Sequence, residues 1–194
     1  VIPNIKGLKI LDCYYCSKLT VIPYIEGLKE MYCYKCPNLT VLPNIKGLKK
    51  LDCSECNITV IPKIKGLEKL YCYNCPSLKS IPNIIGLKSL NCSKCLEIKV
   101  IPNIKGLKEL DCAYCIKLVI IPYIKGIDEI WCRNCPTINI NFIPLQNYIR
   151  NRLKYYSSRY YMKQRQSIEW YYNPNQAGGK REKMRLHNCV KVLT

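Results

Sequence analysis

Apolar residues recur along most of the chain with a fixed cadence. Starting from Leu8 they fall at Leu11, Cys13, Cys16, Leu19, Ile22, Ile25 and Leu28, in steps of 3, 2, 3, 3, 3, 3 and 3 that add to 20. Only the step of 2, from Leu11 to Cys13, has the spacing that puts two strand side chains on one face. Steps of 3 suit extended or polyproline-like turns in which every third side chain points inward. The predicted unit is therefore one short strand and a series of extended turns.

The unit repeats. Val1 to Thr20 reads as one copy and Val21 to Thr40 as the next, with a consensus near V-I-P-N-I-K-G-L-K-x-L-x-C-x-x-C-x-x-L-T. Proline returns at Pro3, Pro23, Pro43, Pro62, Pro82, Pro102, Pro122 and Pro144, and fixes φ while pushing the preceding Ile or Leu toward extended backbone. A glycine returns in each unit, from Gly7 to Gly126, where a turn with positive φ or a close approach to a neighbour is expected. A period near 20 residues predicts a solenoid, because one coil cannot bury its own apolar edges and stacked coils bury each other's. Strands from successive coils then align as a parallel sheet on one face.

Composition narrows the class. The chain has 194 residues, 48% of them hydrophobic, which is enough to bury a core and argues against global disorder. No apolar run approaches the ~20 residues of a membrane span, and no signal peptide is visible. The chain begins at Val1 rather than Met, which leaves the true N-terminus open. Fourteen of the 15 cysteines form seven C-x-x-C pairs, from Cys13/Cys16 to Cys132/Cys135, and Cys189 stands apart. In isolation such pairs suggest zinc ribbons or redox dithiols. Here both thiols of each pair already fill inward positions of the apolar cadence, and the lone His187 lies outside the array. The expectation is columns of small buried thiols in a reducing, cytoplasmic setting, with no metal and no cofactor. Zinc held between coils is the rival reading.

The first unit resembles the leucine-rich repeat pattern L-x-x-L-x-L-x-x-N/C-x-L through Leu8, Leu11, Cys13 and Cys16, with the final Leu one place late at Leu19. The third unit, one residue shorter through Cys56, Asn57 and Ile58, restores the usual register. The resemblance covers roughly residues 1–144. The cysteine-rich form is also similar to repeat proteins of large DNA viruses of protists, which would place it in a host cytoplasm. The resemblance implies an α/β-type solenoid of about seven right-handed coils. Its parallel sheet would be concave. A 20-residue coil leaves little room for a helix on the opposite, convex face, so extended or 3₁₀ turns are expected there, and the chain beyond Pro144 predicts a helical cap over 145–194. The resemblance also implies that Cys16 and its counterparts take the family's Asn/Cys ladder position.

Residues flanking the inward strand positions face outward. Between Leu and Cys they are Asp12, Tyr32, Asp52, Tyr71, Asn91, Asp111 and Trp131, and after the first Cys they include Tyr14, Tyr34, Tyr73 and Arg133. Before the inward Leu stand Ile10, Glu30, Lys50, Lys69, Ser89, Glu109 and Glu129. Tyr and Trp offer large contact area at small entropy cost, and Arg anchors carboxylates. Unlike the inward columns, these positions vary from coil to coil. They are the candidate contacts for a protein or peptide partner: Asp12, Tyr14, Tyr32, Tyr34, Asp52, Tyr71, Tyr73, Asp111, Trp131 and Arg133.

Charge supplies the alternative. Lys plus Arg is 31 against 13 for Asp plus Glu, a net charge of +18. Lys9, Lys29, Lys49, Lys88 and Lys108 form a stripe along one edge, which either keeps the surface soluble or tracks phosphates. Beyond Pro144 the chain turns basic and aromatic, with Leu145, Ile149, Leu153, Tyr156 and Tyr160 at helical spacing. That segment predicts a cap for the last coil. Its Arg150, Arg152, Arg159, Lys163 and Arg165 are the candidates for nucleic-acid binding. Enzymatic motifs fail: Gly178-Gly179-Lys180 lacks the earlier glycine and the following Ser or Thr of a phosphate loop. His187 and Cys189 have no evident third partner. The expectation is a monomeric, non-catalytic scaffold or adaptor.

Overall fold

The computed structural model describes residues 2, 3, 5–132, 134, 135 and 137. They form a parallel β-solenoid of stacked repeats of about 20 residues, with one three-residue strand in each. The strands are β1 (Ile10–Asp12), β2 (Glu30–Tyr32), β3 (Lys50–Asp52), β4 (Lys69–Tyr71), β5 (Ser89–Asn91), β6 (Glu109–Asp111) and β7 (Glu129–Trp131). They lie in sequence order in one seven-stranded sheet, every pair parallel. The register is strict: Leu11 pairs with Met31, Met31 with Leu51, and so on to Leu110 with Ile130. Three residues make a poor strand alone, but the ladder runs on past each end. Cys33 N–H donates to Asp52 O at 2.8 Å, Lys35 N–H to Ser54 O at 2.8 Å, and Lys49 N–H to Lys29 O at 2.7 Å.

The inward cadence is the core. Leu28, Met31, Cys33, Cys36, Leu39, Leu42 and Ile45 are all buried, and the pattern repeats through Cys135. In the short third unit Ile58, two residues after Cys56, drops into the slot that Leu39 fills one coil earlier, so a deletion is absorbed without breaking the column. The first coil is less covered. Cys13 is half-buried and Cys16 exposed, because stacking against only one neighbour hides only one of a coil's two edges.

Each coil turns at two left-handed positions. One is the glycine, with φ between +77° and +91°, and the turn at Gly27 is closed by Leu28 N–H donating to Ile25 O at 3.4 Å. The other is the second residue between the cysteines: Tyr15, Lys35, Glu55, Asn74, Lys94, Tyr114 and Asn134 all have φ of 53–60°. A side chain in that conformation costs roughly 1–2 kcal/mol. It is tolerated because the turn brings both cysteines of a pair to the core and aims the intervening N–H at the next coil, as when Glu55 N–H donates to Tyr73 O at 2.7 Å.

On the side of each coil opposite the sheet the backbone is extended, one of the two forms expected there. Among the described residues there is no helix and no 3₁₀ segment; single turns and extended stretches join the strands. The prolines explain it, since a residue without N–H cannot continue a helical hydrogen-bond series. Between the last coils a short parallel bridge, Val100 to Ile120, ties this side together. No helix among the described residues is long and apolar enough to cross a membrane. The expected cap over 145–194 lies outside the described residues.

Candidate partner-binding face

Strand geometry sends Leu70 and its counterparts inward and the residues on either side of them outward, so the three outward columns stand on the sheet's open face. Sequence reasoning placed Asp12, Tyr32, Asp52, Tyr71, Asp111 and Trp131 in the column just after the inward Leu. The strict register brings them side by side as neighbours across β1 to β7. Tyr14, Tyr34 and Tyr73 stand one row further on. Arg133 lies outside the described residues, as do Arg150, Arg152, Arg159, Lys163 and Arg165.

The tyrosines form two patches. At the first two coils, Tyr14 stacks on Tyr34 with ring centroids 4.9 Å apart and parallel planes, while Tyr15 meets both edge-on at 5.6 and 5.9 Å. Tyr14 and Tyr15 remain 46% and 60% exposed, so this cluster presents aromatic surface to solvent. Further along, lysines insert between rings of successive coils. Lys50 Nζ lies 4.8 Å from the Tyr32 ring centroid and 5.8 Å from that of Tyr71. Lys94 Nζ lies 5.1 Å from Tyr73 and 5.9 Å from Tyr114. Hydrogen bonding to Tyr32 holds the Lys50 pKa above the usual lysine range, and bonding to Tyr73 does the same for Lys94. Both ammonium groups therefore carry their charge at neutral pH, beside the faces of the rings.

Carboxylates on the face are likewise oriented. Tyr32 Oη donates to Glu30, Ser89 Oγ donates to Glu109 Oε2 at 3.1 Å, and Asp52 and Asp111 each accept a backbone N–H two residues on at 3.1 Å. Across β5 and β6 the outward residues shrink. Ser89, Ser93 and Ala113 are nearly covered, and they floor a notch of about 560 Å³.

Sequence reasoning missed the contribution of the left-handed position. Tyr15, Lys35, Lys94 and Tyr114 extend the face beyond the three strand columns, and Lys35 Nζ donates to Tyr15 Oη at 2.6 Å. The only signal was the repeated place between two cysteines, where the chain needs positive φ yet carries no glycine.

Beneath the face the thiols are structural donors. The second cysteine of each coil from Cys36 to Cys135 donates its S–H to the carbonyl of the first cysteine one coil back, at 3.0–3.2 Å in all six instances. Each bond stitches neighbouring coils at the strand's end, and the Cys92 and Cys112 carbonyls also accept the N–H of Cys95 and Cys115. The fourteen described cysteines are free thiols. A side-chain hydrogen bond with Cys56, and then burial, pushes Cys33 well above the ordinary thiol range; Cys53, Cys72, Cys92 and Cys112 are raised in the same way with Cys75, Cys95, Cys115 and Cys135. Even in the open first coil, burial raises Cys13 to about 12. Among the described residues no group of three or more His, Cys, Asp or Glu side chains is placed to hold a metal ion.

Along the edge, Glu68 accepts from Lys49 at 2.8 Å and from Lys88 at 3.0 Å, and these two ammonium groups depress its pKa to about 2. Lys117 with Glu97 and Lys108 with Asp128 make further exposed pairs. The lysine stripe is thus partly neutralised within the protein. No protein-family model matches the chain, and no curated protein matches it.

Proposed function

We propose that this chain is a non-catalytic binding module of the leucine-rich-repeat kind, which holds a protein or peptide on its open sheet face as a scaffold or adaptor. The observation that carries this reading is the segregation of charge. Six of the chain's 13 carboxylates stand on the three outward strand columns, at Asp12, Glu30, Asp52, Glu109, Asp111 and Glu129. Among the described residues of those columns the cations are Lys50 and Lys69, with Lys35 and Lys94 beside them at the left-handed position, in a chain of net charge +18. A surface that is merely solvated has no reason to invert the charge of the whole molecule. Interleaved with Tyr and Trp, it has the make-up of a partner-binding surface.

The buried thiol columns suit a reducing compartment such as the cytoplasm, and the cysteine-rich repeat favours kinship with viral repeat proteins. The competing reading is nucleic-acid binding through the lysine edge and Arg150, Arg152, Arg159, Lys163 and Arg165. The exposed lysine stripe favours it, and it requires steep loss of binding with salt.

The test is a pull-down from cell lysate, with and without nuclease, using the chain and a variant with Tyr32, Tyr34, Tyr71 and Tyr73 changed to Ala. Protein partners that survive nuclease and are lost in the variant are expected. Recovery that vanishes with nuclease and ignores the tyrosines overturns the reading.

A further inference from the structure

The notch over β5 and β6 is built differently from the rest of the face. Its floor is Ser89, Ser93 and Ala113, all nearly covered, and neither β5 nor β6 carries an aromatic side chain. One wall is Tyr71 and Tyr73 on the fourth coil, and the opposite wall is Trp131 on the seventh. Three strand spacings separate the walls, about 14 Å. That is too wide to clamp one flat group between them and wide enough for an extended residue lying along a wall. The volume of about 560 Å³ falls within the range of specific binding sites, about 300–1,000 Å³.

Charge decides the occupant. Glu109 and Asp111 line the notch, against Lys94, the single cation among the described residues that line it. Both carboxylates are already oriented, Glu109 by the Ser89 hydroxyl and Asp111 by the Ala113 amide. Lys94 shows what these aromatic walls do with a cation: its ammonium rests over the faces of Tyr73 and Tyr114. A planar cation that stacks on an aromatic face while offering paired N–H donors to carboxylates is a guanidinium.

We infer that the notch is a recognition site for an arginine side chain of a partner peptide. The inference rests on the proposed function, since it names what the open face selects. The net charge of +18 sharpens it: a basic peptide meets repulsion over most of this molecule and attraction here. The arginine packs against Tyr71 and Tyr73 or against Trp131, with its guanidinium on Glu109 and Asp111. Flanking residues of the peptide take up the rest of the notch.

The experiment is capture of an array of immobilised nonapeptides, randomised except for a central Arg, Lys, Glu or Leu, by the full chain. Alongside it run the Glu109→Gln/Asp111→Asn double variant, Trp131→Ala, and Lys63→Ala, an exposed change outside the notch and the open face. Glu109 is exposed and Asp111 keeps its accepting oxygen as Asn, so the double variant retains the fold; matching far-ultraviolet dichroism and urea midpoints verify this. The expected result is preferential capture of central-Arg peptides. The double variant and Trp131→Ala lose it by about tenfold or more, as expected when a charged or aromatic anchor is removed, while Lys63→Ala keeps the preference. Capture with no preference for Arg, or one that the double variant keeps, overturns the notch and leaves the open-face reading standing. No capture of any peptide overturns both. A last full-length variant changes Arg150, Arg152, Arg159 and Arg165 to Gln. If only that variant captures central-Arg peptides, the occupant is the chain's own basic segment, and the partner is excluded.

Discussion

The inward and outward columns of the same strands follow opposite rules. Moving from coil to coil, the inward strand position reads Leu11, Met31, Leu51, Leu70, Leu90, Leu110, Ile130, and the cysteine positions do not change at all. One residue over, the outward position reads Asp12, Tyr32, Asp52, Tyr71, Asn91, Asp111, Trp131. The backbone is the same for both, because the register locks each residue to its counterpart. Stacking demands sameness inward, since each side chain packs against its own copies. Outward there is no such demand, so the difference between columns separates what folds the protein from what it presents.

The sharpest way to break that division is to substitute across it. Leu70→Ala, in the middle of the buried column, is expected to cost about 2–5 kcal/mol by urea unfolding. Its neighbour Tyr71→Ala is expected to cost less than about 1 kcal/mol. Equal losses would show that the face is part of the fold rather than a surface laid on it.

The thiol ladder comes next. Cys75→Ala removes a fully buried side chain and its bond to the Cys53 carbonyl, with an expected loss of about 1–3 kcal/mol. The same change at exposed Cys16 should be nearly silent. Reaction with a thiol reagent extends the contrast: among the described cysteines Cys16 is modified first, and the buried ones react only as the chain unfolds.

A smaller effect separates the two left-handed positions. Nothing lies within 4 Å of a β-carbon built on Gly66, but its φ of +90° makes Gly66→Ala strained, at a cost of about 1 kcal/mol. At Glu55, already a side chain at φ 57°, Glu55→Gly relieves that strain and is expected to stabilise by about 0.5–1 kcal/mol.

The smallest effect is electrostatic. Glu68 is held at a pKa of about 2 by Lys49 and Lys88. A depressed carboxylate stabilises the fold above its unfolded pKa, near 4.5, and that contribution fades as pH falls toward 2. The stability difference between the chain and Glu68→Gln should be present at pH 6, shrink below pH 4.5, and weaken in high salt at any pH.

Much of the fold could be read from the sequence, for a physical reason. Leu, Ile and Cys at fixed steps are the same side chains that end up buried, so the cadence is itself a burial map. The glycines likewise marked positive φ. The left-handed residues at Tyr15, Glu55 and Lys94 escaped notice because their strain is relieved by hydrogen bonds between coils, which no local pattern announces. The 20-residue coil length left extended or 3₁₀ turns open opposite the sheet, and with regularly placed prolines the backbone there is extended, with single turns. Of the candidate face, the columns were legible from alternation within each strand. The notch was not: it appears only when Ser89, Ser93 and Ala113 from different coils come to lie between Tyr71 and Trp131.

The central claim is that binding belongs to the open face while folding belongs to the inward columns. It is tested most directly by placing Ala at Tyr32, Tyr34, Tyr71 and Tyr73 together and measuring urea unfolding and partner affinity on the same preparation, at low and high salt. The account predicts an unfolding midpoint close to that of the unchanged chain, with affinity lost at both salt concentrations. Affinity that survives the four substitutions and collapses with salt would contradict it, and would move the function to the basic segment and the lysine edge.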